Sequence, residues 1–322
     1  MAKEDLSLPL DPSFAPALLF DYNDGETSDA RHLYSIPKKR ALLARGFDGL
    51  FKDVNWVTPH GWVLALDPST RDASLRDPFS SRTIRLPQDR EKLLANSEVT
   101  RCVLSTRPTN PGCVVVVVHR KEPTICYCRP GSSRWSNTST VLSCWSKETG
   151  MLSSMRCSRR SRRRGEASTH VFWENKLAKL TFSPDPTLSC SPVKDRPFPA
   201  GCSYAQCCLV ESCGDLFMVQ LCFPRIELRM MGVEVKKLDF SRSTFVKVAE
   251  LGNNRVFFAR KGQFGASMAA DELGLKPNCI YFSSSGDKGL YTYDMEHGTT
   301  KLHNPGPDVP DSTQPILLMP VT

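Results

Sequence analysis

Residues 235–248 read VKKLDFSRSTFVKV. Apolar residues lead to Asp239, a polar turn follows, and Phe245 opens a second alternating run, which is the pattern of a β-hairpin. A hairpin alone carries no function, so the fold is decided by whether the chain repeats it. Three further segments line up: SLRDPFSSRTIRLP centred on Asp77, CYCRPGSSRWSN on Arg129 and YTYDMEHGTTKLH on Asp294. In each, a charged residue ends an apolar run and a short polar turn follows. Six residues on, the next run begins at Thr83, Trp135, Phe245 and Thr300.

The intervals between the charged residues are 52, 110 and 55. The middle one is twice the last, so a degenerate copy is expected near position 184, where NKLAKLTFSPDPTLS stands. LYSIPKKRALLA around Ile36 supplies a further unit upstream. Each clear unit has an earlier apolar strand, in GWVLALD from 61, CVVVVVH from 113 and CIYFSSS from 279; GDLFMVQLC from 214 belongs with them. Short strands and turns recurring at this period are the signature of propeller blades, which bury their faces by stacking on one another. PALLF at 16–20 and PILLMP at 315–320 are expected to pair as the first and last strands of one blade.

Composition narrows the remaining choices. The hydrophobic fraction of 40% and the charged fraction of 24% are ordinary for a globular chain. No stretch of 18 or more apolar residues occurs, which argues against a membrane span. The net charge of +8 is local: six arginines lie between Arg156 and Arg164, and without them 36 basic residues face 34 acidic ones. A nucleic-acid surface spread over the domain is therefore disfavoured. The N-terminus, with Glu4, Asp5 and Asp11 and no arginine before Arg31, lacks the marks of a signal or transit peptide. Thirteen cysteines are then expected as reduced thiols.

Candidate chemistry is sparse. Arg159, Arg160, Arg162, Arg163 and Arg164 form a run like a nuclear-localisation signal, with a solvated basic loop as the simpler reading. No aromatic residues interleave with it to stack bases. Cys126 and Cys128 alternate along one strand, and Cys202, Cys207, Cys208 and Cys213 lack zinc-site spacing. The histidines at 32, 60, 119, 170, 297 and 303 are scattered, and His60 reads as part of a turn before Gly61 and Trp62. No nucleophile elbow, phosphate loop or dinucleotide fingerprint occurs, so no catalytic residue, metal or cofactor is assigned. Trp62, Trp135, Phe245 and Tyr293 recur at equivalent places and are expected to pack between blades.

The C-terminal third carries a more specific likeness. Leu251, Gly252, Asn254, Arg255, Phe257 and Phe258, then NCIYF at 278–282, then Tyr293, Asp294 and Met295, resemble the plant F-box-associated KIB-type β-propeller family. HGW at 60–62, LRDPFSSRTIRLP at 75–87, CVLSTRPTNPGCVVVV at 102–117 and CRPGSSRW at 128–135 match the same family. The wording looks closest to the branch lacking an F-box, some of whose members are organelle-targeted. About 15 residues precede the repeats, too few for a helical F-box, and no G-K-F-Y strand appears in 145–170. That segment reads as an insertion or as an exon-junction artefact.

These readings combine into an all-β chain. It is expected to be a single β-propeller of about six irregular four-stranded blades over 16–322, with an N-terminal tail at 1–15 and a basic disordered insertion at 145–170. The resemblance implies a non-enzymatic protein–protein interaction module, with an unknown protein partner and ubiquitin-ligase components in trans. A propeller enzyme with an active site in the central channel, and a degenerate non-functional paralogue, are the alternatives. The expected compartment is cytoplasm or nucleus, with an organelle as the alternative.

Overall fold

The computed structural model describes residues 5–6, 10–22, 30–47, 50–51, 53–58, 60–80, 82–94, 100–119, 124–139, 156–159, 168–173, 176–182, 186–194, 202, 204–223, 230, 232–252, 254–260, 265–283, 287–306 and 308–321. The chain divides into two compact units, one of residues 1–139, 283–290 and 303–322, the other of 140–282 and 291–302.

The quoted stretch folds as its pattern dictates. Strands Gly232–Asp239 and Thr244–Lys247 pair antiparallel, with Asp239 opposite Thr244 and Leu238 opposite Phe245. The Asp239 carboxylate accepts from the Ser241 amide at 2.9 Å, the Ser241 hydroxyl at 2.6 Å and the Arg242 amide at 3.2 Å. Such a bracket needs only one short acceptor at the first turn position, which is why the repeat is legible there. Asp77 brackets Phe79 and Ser80 and Asp294 brackets Glu296 and His297, while at Arg129 the bond runs the other way, the Ser132 hydroxyl accepting from the Arg129 amide at 3.3 Å. Asp67 makes a fourth carboxylate bracket one hairpin earlier, over Ser69 and Thr70.

In the first unit, strands Val54–Val57, Val63–Leu66, Ala73–Arg76 and Thr83–Arg85 form one up-and-down sheet; Thr100–Leu104, Val115–His119, Thr124–Cys128 and Ser136–Ser139 form another. The valines at 114–118 are all buried, because this central strand is covered on both faces and need not alternate. Trp62, Leu64, Leu66, Val115, Val117, Cys126, Cys128 and Trp135 share one core cluster, so the two CYC thiols do point to one side. Each fully buried valine or leucine contributes about 1.5–3 kcal/mol relative to exposure. The indole of Trp56 donates to the Thr100 hydroxyl at 3.0 Å and that of Trp135 to the Pro87 carbonyl at 2.8 Å, pinning the two sheets together.

The third sheet of this unit joins the two ends of the chain. Ala17–Phe20 pairs antiparallel with Ile316–Leu318 on one side and with Ala30–Ser35 on the other, and Arg40–Arg45 follows. The expected pairing of first and last strands is therefore present. A fifth strand, Asp5–Leu6, runs parallel to Arg40–Arg45. Among the described residues of 1–15, a 3-10 turn at Pro12–Phe14 buries Phe14, whose carbonyl accepts from the Ser35 hydroxyl at 2.8 Å.

In the second unit, Tyr204–Ser212, Asp215–Phe223, Gly232–Asp239 and Thr244–Lys247 form one sheet. Another runs in the order Gly265–Ala269, Arg255–Arg260, Cys279–Ser283, Leu290–Asp294, Thr299–His303. The copy expected near 184 is the hairpin of Lys176–Thr181 and Thr187–Pro192, in a sheet with Arg156–Arg159 and Ser168–Trp173. Within 145–170, expected to be a disordered insertion, residues 156–159 and 168–170 are instead strand, with Ser158 opposite His170 and Arg159 opposite Thr169. The rest of that stretch lies outside the described residues.

Among the described residues the strands form six sheets, and two of them carry five strands instead of the expected four. The fifth strands, Asp5–Leu6 and Gly265–Ala269, are additions at a sheet edge that no periodic pattern announces.

Candidate functional site

A groove of about 830 Å³ opens in the second unit, within the usual size of a ligand site. One wall is the two-residue turn between Tyr204–Ser212 and Asp215–Phe223, where Cys213 and Gly214 both take positive φ, +53° and +88°. That is the primed-turn geometry whose twist matches the strands it joins. It leaves Cys213 exposed on the rim.

The opposite wall is residues 248–252, where Gly252 adopts φ +91°. Leu251 is fully buried and its amide donates to the Asn278 side-chain oxygen at 3.0 Å. Asn278 is the hub of the floor: its own amide donates to the Arg255 carbonyl at 2.8 Å, and its carbonyl accepts from Met295 at 3.2 Å. It sits at φ +59°, a left-handed conformation that asparagine tolerates better than most residues. Phe217 lines the groove and packs edge-on against Phe257, ring centroids 5.2 Å apart.

The charges on the lining are mostly paired. Lys237 and Asp215 meet at 2.8 Å, both nearly half-exposed, so the pair contributes little to stability. Lys276 holds Asp294 at 2.7 Å and Glu296 at 3.2 Å. The Lys276 ammonium and then His297 hold the Asp294 carboxyl down at about 2, against desolvation. Because that lies below the ordinary 3.8, the contribution is present above about pH 4 and is lost as pH falls towards 2. Asp67, held at about 2 chiefly by the Ser69 hydroxyl, acts in the same sense. Thermal midpoints measured between about pH 5 and 2 should fall less steeply for Asp294→Asn than for the native chain; equal slopes would remove the carboxylate from this role.

Asp294, Glu296 and His297 bring three ligand-type atoms within 4.8 Å, but two of the three are exposed and Lys276 already binds the carboxylates. Three buried thiols are held protonated: burial pushes Cys113 and Cys279 up to about 11 and Cys222 up to about 12. His60 is buried inside the turn from Thr58 to Trp62, as its position before Gly61 implies.

Of the arginine run, Arg159 closes the strand Arg156–Arg159, opposite Thr169. Arg160, Arg162, Arg163 and Arg164 lie outside the described residues, and the described lining of the groove contains none of the five. Five of the residues that carry the family likeness do line it. Leu251, Gly252 and Arg255, then Asn278, then Met295 come from three separate motifs and meet in one place.

A family profile described as KIB1-4 beta-propeller matches residues 33–301. The chain belongs to this family. The KIB1-4 beta-propeller match reaches every described sheet but leaves out the strands Asp5–Leu6, Ala17–Phe20 and Ile316–Leu318, and its C-terminal part contains both walls of the groove. No curated protein matches the chain. Among solved structures it is similar to a streptogramin B lyase, with 10% identity over 79% of this chain and 83% of that one and a TM-score of 0.38. It is also similar to a luciferin-regenerating enzyme, 9% identical over 89% and 82%, TM-score 0.40. A third is an auxiliary nutrient binding protein from Bacteroides ovatus, 11% identical over 86% and 64%, TM-score 0.40. No helix among the described residues of this KIB1-4 beta-propeller is long and apolar enough to cross a membrane.

Proposed function

We propose that the chain is a non-enzymatic protein-recognition module whose partner docks in the groove lined by Cys213, Ala249, Leu251, Arg255 and Asn278. The observation that carries this reading is the convergence of three family-like motifs on one groove. Its floor is fixed by main-chain bonds through Asn278, as a preorganised recognition site requires. Among the described residues the site mixes apolar walls with convergent polar groups and pairs no nucleophile with a base, which suits binding better than turnover. The resemblance to F-box-associated proteins read from the sequence supports ubiquitin-ligase subunits supplied in trans, in the cytoplasm or nucleus.

Ala249 lines the groove and is exposed, so Ala249→Arg fills the site without entering the core. Quantitative affinity capture with the native full chain and with this variant is expected to recover a common partner, depleted roughly tenfold by the variant. Equal recovery by both would remove the groove from the interface and overturn the reading.

A further inference from the structure

We propose that the groove recognises an extended peptide bearing one carboxylate and one cationic side chain about an apolar residue, the carboxylate on Arg255 and the cation on Glu250. The proposal rests on the protein-recognition reading and gives its partner a chemistry.

Four of the charged groups on or beside the lining are neutralised locally: Asp215 by Lys237, and Glu296 by Lys276. Arg255 and Glu250 remain, and neither has an ion-pair partner among the described residues. Arg255 is nonetheless held. Its Nε donates to the Ser267 hydroxyl at 2.9 Å, and that hydroxyl donates to the Ser212 hydroxyl at 2.8 Å, with Ser212 only 3% exposed. A guanidinium fixed through Nε keeps its two terminal amino groups in a set plane, the fork that fits a carboxylate. Ordering that long side chain in advance removes an entropic cost from binding.

Glu250, exposed on the loop that forms the other wall, presents the opposite charge. A simple anion would engage Arg255 and still face Glu250. A chain carrying both signs satisfies both, and it lays its apolar residue against the half-buried Val248 and Met295. Charges arranged this way fix register and exclude partners of the wrong pattern more than they add affinity.

The experiment pans a displayed library of random twelve-residue peptides against the full chain, with Cys213 alkylation as the test of site occupancy. Enriched peptides are expected to carry an acidic and a basic residue, to slow alkylation of Cys213 and to fail against the alkylated protein. For such peptides Arg255→Met should weaken binding about tenfold or more. Ser267→Ala, which keeps the charge but frees the guanidinium, should weaken it less, and Glu250→Gln should remove the preference for the basic residue. Melting curves of the three variants serve as the check on folding.

Peptides that protect Cys213 but bind Arg255→Met and Glu250→Gln unchanged would overturn the charge assignment while leaving the groove a peptide site. Protection by inorganic phosphate alone, with no dependence on Glu250, would overturn it in favour of a plain anion site. Enrichment of no peptide sensitive to Cys213 alkylation would overturn both this proposal and the recognition reading beneath it.

Discussion

Replacing Asp89 by alanine is expected to cost the protein about 3–5 kcal/mol, the usual price of stranding one half of a buried ion pair. The Asp89 side chain is wholly buried, and three groups converge on its carboxylate: the Arg71 guanidinium, the Leu93 amide at 2.7 Å and the Leu94 amide at 3.0 Å. The Asp89 amide in turn donates to the Arg71 carbonyl at 2.9 Å. Arg71 itself sits at φ +63°, closing the turn that Asp67 brackets. One carboxylate thus fastens the segment after Thr83–Arg85 to the turn before Ala73–Arg76. Removing it leaves two amides and a guanidinium without their acceptor. Urea unfolding of the native chain and of Asp89→Ala, Arg71→Met and the double variant measures this. The double variant should lose less than the sum of the single ones; strict additivity, or a single-variant loss below about 1 kcal/mol, would show that the bracket is not a coupled unit.

Gly61→Ala should be comparably damaging for a different reason. Gly61 holds φ +80°, and a methyl group there would lie 2.7 Å from the carbonyl oxygens of both Met319 and Pro320. Those obstacles are main chain, so no rotamer change relieves them. The cost is about 1–2 kcal/mol for the left-handed backbone plus whatever is lost when residues 319–320 move away. A total of about 2–5 kcal/mol is expected, since cores answer overpacking with about 1–3 kcal/mol of their own. Gly131 is the control: its φ is +86° but nothing lies within 4 Å of the added methyl, so Gly131→Ala should show the backbone cost alone. Equal losses at the two positions would mean that the contact with the C-terminal segment is soft.

The contrast between these two sites marks what a single sequence can show. Asp77, Asp239 and Asp294 were legible because each closes its turn with its own carboxylate, a device that fits within four residues. The strands at 17–20 and 316–318 could be matched because both are short apolar runs in want of a partner. Asp89 announces nothing: its ligands are a cation 18 residues earlier and two main-chain amides. The strands Asp5–Leu6 and Gly265–Ala269 were missed because an edge strand needs no alternating pattern. The groove escaped for a related reason. Leu251, Arg255, Asn278 and Met295 stood out by likeness, but their meeting depends on Asn278 bonding to three segments at once. No periodicity encodes such a hub.

The pairing of Ala17–Phe20 with Ile316–Leu318 also sets a timetable. Leu19 and Ile316 face each other across 297 positions of chain. A ribosome adding about 5–20 residues per second needs on the order of 15–60 s to travel from one to the other. Throughout that interval the strand bearing Leu18 and Leu19, both fully buried in the finished protein, has no neighbour on one side. The nascent chain therefore carries a sticky, unfinished edge until residues 316–318 emerge.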